Sequence, residues 1–119
     1  MLPLVSAALE RGAAVTLYCD TPLPTLPAAV EVSPLSALPD GLSWADFLAL
    51  DVPLQRLSEL VAVLGLETPY RLPCKGQVLV YADMPCSGLA ECGACALPAR
   101  HGWKLACLDG PVFDWNELF

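Results

Sequence analysis

The chain has 119 residues, a hydrophobic fraction of 55% and a formal net charge of −7 at pH 7. This length allows one domain or two very small ones, and the apolar content is high enough to bury a core. The acidic balance argues against nucleic acids and anionic membrane surfaces as partners, and no apolar run reaches the roughly 18 residues that a membrane-spanning helix needs.

The first third of the chain predicts a helix followed by two strands. Pro3 suits the first turn of a helix, and Gly12 is placed to end it. Residues 13–18 form a near-continuous apolar run, which is typical of a strand buried on both faces of a parallel sheet. A proline-rich loop is expected at 21–27, and a short strand at 29–32.

The middle of the chain predicts an irregular stretch at 34–41 and a buried strand at 45–50. Asp51 is a plausible N-cap and Pro53 a first-turn proline for the following helix. Apolar residues keep a helical period from there until Gly65, which is expected to end the helix.

A further strand is predicted at 77–81, directly before the cysteine-rich segment. This order of elements predicts an α/β fold with a largely parallel sheet and helices. Residues 1–70 hold one cysteine and residues 71–119 hold five. We therefore expect the domain boundary near 68–73, which divides the chain into domains 1–70 and 71–119.

The cysteine-rich segment carries the strongest chemical signal. Cys86, Cys92, Cys95 and Cys107 follow a C-x5-C-x2-C-x11-C spacing, which differs by one residue in its first loop from the C-x4-C-x2-C spacing of plant-type ferredoxins. Small residues between these cysteines, including Gly88 and Gly93, let the backbone approach closely and direct N–H groups at sulfur. This pattern favours an iron–sulfur cluster, with the four cysteines as ligands.

Two other readings of the cysteines stay open. Four cysteines also suit a structural zinc site, and six cysteines could form disulfides. The N-terminus lacks the basic start of a signal peptide, so we expect a cytoplasmic protein with reduced cysteines. Cys19 is predicted to be a buried residue, whereas Cys74 lies close enough in sequence to replace Cys86 as a ligand. His101 is predicted at a hairpin tip and not as a ligand.

Several strings resemble a known family. Met-Pro-Cys at 84–86, Cys-Gly-Ala-Cys at 92–95 and Cys-Leu-Asp-Gly-Pro-Val-Phe at 107–113 resemble the cluster domain of bacterial dihydroorotate dehydrogenase electron-transfer subunits. Those subunits also carry an FAD-binding barrel and an NAD-binding domain. The resemblance implies a [2Fe–2S] cluster that relays electrons between the FMN of a catalytic partner subunit and FAD, in pyrimidine biosynthesis. It implies the same four ligands, Cys86, Cys92, Cys95 and Cys107.

Over residues 1–70 the resemblance is architectural only, to the latter part of the NAD-binding domain. It implies a partial Rossmann-like parallel sheet with helices, followed by a small β-rich [2Fe–2S] cluster domain. The FAD-binding domain has no counterpart in the chain, and no G-x-G-x-x-G turn occurs. Where the family often has cysteine-glycine-proline near the nicotinamide, residues 51–53 read Asp-Val-Pro. These departures argue against FAD and NAD binding by this chain.

The sequence thus predicts a [2Fe–2S] electron-transfer protein or subunit that works with a flavoprotein redox partner. The alternative is a zinc-binding four-cysteine interaction module without a redox role. No catalytic residue is predicted, because no nucleophile–base pair is visible. We expect the chain not to be an enzyme by itself.

Overall fold

The computed structural model describes residues 2–21 and 25–119, which divide into two compact units, Met1–Gly41 and Leu42–Phe119. The central part of the proline-rich loop predicted at 21–27 lies outside the described residues. The predicted domain boundary near 68–73 differs from this division. The predicted boundary follows the rise in cysteine content along the sequence, whereas the compact units follow the pairing of strands. The division into 1–70 and 71–119 stays a prediction.

The first unit contains the predicted helix and strands. Helix α1 spans Leu2–Glu10, and Gly12 follows it with a φ of 76°, as expected of a glycine that ends a helix. Strands β1 (Val15–Tyr18) and β2 (Val30–Ser33) form a two-stranded parallel sheet. The predicted irregular stretch at 34–41 is instead a short 3₁₀ turn followed by helix α2 (Leu38–Gly41).

The prediction that β1 is buried on both faces is wrong. All four of its residues are only partly buried, because a sheet of two strands in so small a unit cannot be covered on both faces. The Tyr18 ring packs directly over Gly41, where a Cβ atom would meet its hydroxyl. The Asp20 carboxylate accepts a hydrogen bond from the Leu35 N–H at 2.9 Å.

The second unit is built on a three-stranded sheet with β4 at its centre. Strand β3 (Phe47–Pro53) pairs in parallel with β4 (Lys75–Tyr81). Strand β7 (Val112–Asp114) returns from the C-terminal part of the chain and pairs antiparallel with the other edge of β4. Val78 lies opposite Phe113 in this register, and both side chains are buried.

The connection between β3 and β4 corrects the predicted helix start. Asp51 lies inside β3 and caps no helix; its carboxylate accepts a hydrogen bond from the Tyr81 hydroxyl and raises the pKa of that tyrosine. Pro53 is still extended, and the segment continues as a 3₁₀ helix (Leu54–Glu59) and helix α3 (Leu60–Val63). The leucines of the predicted apolar face point inward nonetheless: Leu57, Leu60 and Leu64 are buried.

The C-terminal part adds a hairpin and a short helix. Strands β5 (Ala96–Ala99) and β6 (Gly102–Leu105) form the predicted hairpin, with His101 exposed at its tip. Helix α4 (Trp115–Leu118) begins after Asp114, whose carboxylate accepts a hydrogen bond from the Asn116 N–H. Arg100 at the hairpin tip donates its N–H to the Glu117 carbonyl at 2.9 Å, which joins the hairpin to the helix.

The fold thus consists of short helices and small sheets that include parallel and antiparallel strand pairs. The part that carries most of the cysteines is small and β-rich. Within residues 2–21 and 25–119 the parallel pairs belong to separate sheets, so one continuous Rossmann-like sheet is not seen. The predicted strands exist, but no strand in the described chain joins β1 to β3. In the same described residues, no helix is long and apolar enough to span a membrane.

Candidate metal centre

The loop between β4 and β5 carries three of the four predicted ligands and is tightly wound. The Ser87 N–H donates to the Met84 carbonyl at 2.8 Å, and the Leu89 N–H to the Cys86 carbonyl at 3.2 Å. Positive φ angles occur at four of its residues, namely Ser87 (54°), Gly88 (85°), Ala90 (61°) and Gly93 (69°). Backbone of this kind turns N–H groups toward the inside of a loop, where anions bind.

Cys86 and Cys92 form the first sulfur pair. The Cys86 sulfur receives hydrogen bonds from the N–H groups of Cys92 and Glu91, from the Cys92 thiol and from the Gly88 N–H. These donors lower the pKa of Cys86 to about 6. The Cys92 sulfur in turn accepts the Ala94 N–H at 3.4 Å. The loop therefore stabilises negative charge on sulfur before any metal is considered.

Cys95 and Cys107 form the second sulfur pair. Their Sγ atoms lie 3.3 Å apart, and the Ala106 N–H donates to the Cys95 carbonyl at 3.1 Å. The Cys107 N–H and thiol lower the pKa of Cys95, whereas the hydrogen bond with Cys95 raises the pKa of Cys107. A thiolate at Cys95 is thus stabilised by the thiol and the N–H of Cys107.

The first loop brings the two pairs together. The Ala90 N–H donates to the Cys107 sulfur, and negative charge at Cys86 raises the pKa of Cys107. A Cβ atom at Gly88 would lie 4.0 Å from the Cys107 Cβ. The loop that follows Cys86 therefore lies directly against Cys107, which is distant from it in sequence.

A turn after Cys107 holds this ligand against the core. The Asp109 carboxylate accepts the Leu105 N–H at 2.7 Å, and the Asp109 N–H donates to the Leu105 carbonyl at 2.8 Å. Gly110 then passes so close to Phe113 that a Cβ atom there would lie 2.5 Å from the ring. Only glycine fits at this approach, so the turn fixes Cys107 relative to the buried Phe113.

The other cysteines lie elsewhere. Cys74 immediately precedes β4, whereas the ligand loop follows the opposite end of that strand. Seven strand residues separate the two ends by roughly 20 Å. Burial raises the pKa of the Cys74 thiol, so its surroundings disfavour the thiolate form. Cys19 belongs to the first unit, where it is half-buried.

The donor set fits an iron–sulfur cluster. The four thiols form two pairs, and backbone N–H groups point at sulfurs of both pairs. Such donors suit an anionic cluster, because its sulfurs carry charge that needs hydrogen bonds. In the described residues, no group of three or more His, Cys, Asp or Glu side chains is placed so that it could hold a metal ion.

Comparison with known families identifies the segment that contains this site. Residues 84–119 match the iron-sulfur cluster binding domain of dihydroorotate dehydrogenase B. The match confirms the resemblance predicted for the C-terminal part of the chain, and it supports an iron–sulfur cofactor and an electron-transfer role there. No similar curated protein and no similar solved structure was found.

The segment 84–119 contains features that the sequence did not indicate. Gly88 and Gly93 were expected to have positive φ, but Ser87 and Ala90 share that conformation. The Asp-Gly pair at 109–110 signals a turn, yet the bond from Asp109 back to Leu105 depends on the hairpin register and has no sequence signal.

Ala90 offers a test of the loop conformation. Replacing it by valine should destabilise the protein by about 1–2 kcal/mol, because a β-branched residue is strained at positive φ, and should loosen the N–H contact with Cys107. Ala94→Val is the matched control, since Ala94 lies in the same loop without a positive φ. Thermal unfolding of both cluster-loaded variants measures the difference. Equal melting temperatures would contradict this account of the loop.

Proposed function

We propose that the chain binds a [2Fe–2S] cluster through Cys86, Cys92, Cys95 and Cys107 and relays single electrons in a flavoenzyme complex. The partner is a flavoprotein, such as the FMN-containing catalytic subunit of a dihydroorotate dehydrogenase in pyrimidine biosynthesis. The family match over residues 84–119 supports the iron–sulfur part of this proposal. Six free thiols suit the reducing cytoplasm as its location.

The pairing of the sulfurs is the observation that carries the two-iron assignment. The Cys86 sulfur accepts hydrogen bonds from the N–H and the thiol of Cys92, which makes them one pair. The Sγ atoms of Cys95 and Cys107 lie 3.3 Å apart and form the second pair. A cluster of two irons takes two thiolates at each iron, so each pair would hold one of them. A single tetrahedral zinc ion would instead require all four sulfurs around one point.

The residues of the chain would bind the cluster and stabilise its negative charge. The cluster supplies one-electron chemistry, which is the cofactor's own. The N–H groups of Gly88, Glu91 and Cys92 donate to the Cys86 sulfur, and the Ala90 N–H donates to Cys107. These donors offset the negative charge of the ligands. No side chain is assigned an acid or base role.

Metal analysis of the full chain tests the proposal directly. We expect the protein, purified without oxygen, to contain two irons and two acid-labile sulfides per chain. Visible absorption, together with an electron paramagnetic resonance signal on reduction by one electron, identifies the cluster. Stoichiometric zinc without iron would overturn the proposal in favour of the zinc-binding interaction module.

The reduction potential is a second expected outcome. Four thiolate ligands should place the cluster near about −400 mV, the value of plant-type ferredoxins, and well below Rieske centres with two histidine ligands. Reduction adds negative charge beside Glu91 and Asp109, which lowers the potential further. A redox titration followed by visible absorption measures it. A clearly positive potential would be incompatible with four thiolate ligands in this acidic setting.

A further inference from the structure

Two leucines beside the ligands are exposed. Leu89, between Cys86 and Cys92, has 68% of its surface accessible, and Leu108, next to Cys107, has 69%. Their loops meet, because the Ala90 N–H reaches the Cys107 sulfur and Gly88 lies against the Cys107 side chain. Exposed leucines at such a position are unfavourable in water, and apolar groups of this kind mark interaction sites when polar residues surround them.

The surroundings of these leucines are acidic. Residues 76–99 and 105–119 contain no lysine or arginine. Asp83, Glu91 and Asp109 in these segments are exposed. Arg100 lies at the tip of the hairpin, and the Lys104 amine lies 3.6 Å from the Glu117 carboxylate, with which it forms an ion pair. The loops around the ligands therefore present apolar groups beside exposed acidic side chains.

We propose that Leu89 and Leu108, with Asp83 and Glu91, form a docking face for a redox protein with lysines and arginines around the exposed edge of its cofactor. The inference rests on the proposed electron-transfer function and specifies the partner's chemistry. Opposite charges steer the encounter. The two leucines then exclude water at the contact, which suits the small, short-lived interfaces of electron-transfer pairs.

The negative charge of the docking face also argues against a second copy of this chain as its partner. Two copies would bring like-charged faces together, and like charges across an interface are unfavourable. We therefore expect the cluster-loaded chain to stay monomeric at low ionic strength. A dimer at low salt that the Leu89→Ser change dissociates would overturn the proposal in favour of self-association.

The test measures electron transfer to a defined basic protein. The chain, reduced with dithionite and freed of excess reductant, is mixed with oxidised cytochrome c in a stopped-flow instrument. One electron passes from each reduced cluster to one haem iron. Ferricyanide serves as a small oxidant that needs no docking face. We expect the rate with cytochrome c to fall about tenfold between about 20 mM and 200 mM salt.

Matched variants locate the face. Asp83→Asn should slow transfer to cytochrome c about threefold, and Glu67→Gln should leave it unchanged. The Leu89→Ser/Leu108→Ser double variant should slow it about tenfold, with single variants near threefold if the double variant does not assemble. Trp44→Ser is the apolar control, because Trp44 is 56% exposed but precedes β3, at the far end of the sheet from the ligand loop.

The outcomes separate this inference from the proposed function. Rates with ferricyanide should agree within about twofold among all variants, since a small oxidant needs no docking face. Equal effects of Asp83→Asn and Glu67→Gln, or of the leucine and tryptophan changes, would refute the docking face while the electron-transfer function stands. A wild-type chain without the absorption of an iron–sulfur cluster would refute the function itself.

Discussion

Replacing Cys95 by serine is expected to abolish cluster binding. Cys95 is buried, its sulfur lies 3.3 Å from that of Cys107, and the Cys107 N–H points at it. Serine keeps the size of the side chain but replaces the soft thiolate that iron–sulfur clusters require. Iron content and visible absorption should fall at least about tenfold. The same loss is expected for Cys86, Cys92 and Cys107.

Cys74→Ser and Cys19→Ser are the matched controls for this prediction. The same change at Cys74 should leave the visible spectrum intact, because β4 separates that residue from the ligand loop. Cys19 lies in the other unit and should behave in the same way. If Cys74→Ser bleaches the protein and Cys86→Ser does not, the ligand assignment is wrong.

Truncating Trp115 is expected to produce the largest loss of stability. Its side chain is 1% exposed, and its indole N–H donates to the Tyr70 carbonyl at 2.7 Å. The ring also stacks on Phe119, with 4.3 Å between centroids. Trp115→Ala removes the packing and leaves the Tyr70 carbonyl without its donor. The free energy of unfolding should fall by about 3–5 kcal/mol.

The melting temperature reports this effect. For a domain of this size, such a loss corresponds to a decrease of more than about 10 °C. Trp103→Ala is the control, because Trp103 is 74% exposed and its truncation should change stability by less than about 0.5 kcal/mol. Trp115→Phe separates the ring from the N–H and should cost about 1–2 kcal/mol. Similar melting temperatures for Trp115→Ala and Trp103→Ala would contradict the assigned core.

Local patterns predicted most of the elements, because they depend on neighbours in sequence. Gly12 and Gly65 end helical segments with positive φ, as their positions indicate. The hairpin at 96–105 and the strand at Lys75–Tyr81 follow turn residues and apolar runs. The start of the segment after β3 was wrong, because the polar Asp51 resembles an N-cap but is paired with Tyr81 across the sheet. Cross-strand partners have no local signal.

The candidate site shows the same limit. Cysteine spacing predicted Cys86, Cys92, Cys95 and Cys107 as a ligand set, because ligand spacing along the chain reflects cluster geometry. It did not indicate which sulfurs pair, or that Ala90 would direct its N–H to Cys107. Those contacts arise from folding the loop against a turn that lies further along the chain. Trp103 and Trp115 were likewise indistinguishable in sequence, although one is exposed and the other buried.

The pairing of β7 with β4 has a consequence for how electrons reach the cluster. The ligand segment leaves the sheet at Tyr81 and returns to the same strand at Val112, where the Val80 N–H donates to the Pro111 carbonyl at 2.9 Å. A cofactor anchored at both ends cannot swing between donor and acceptor on a flexible tether. The cluster would stay fixed relative to the sheet, and each redox partner would have to bind close to it.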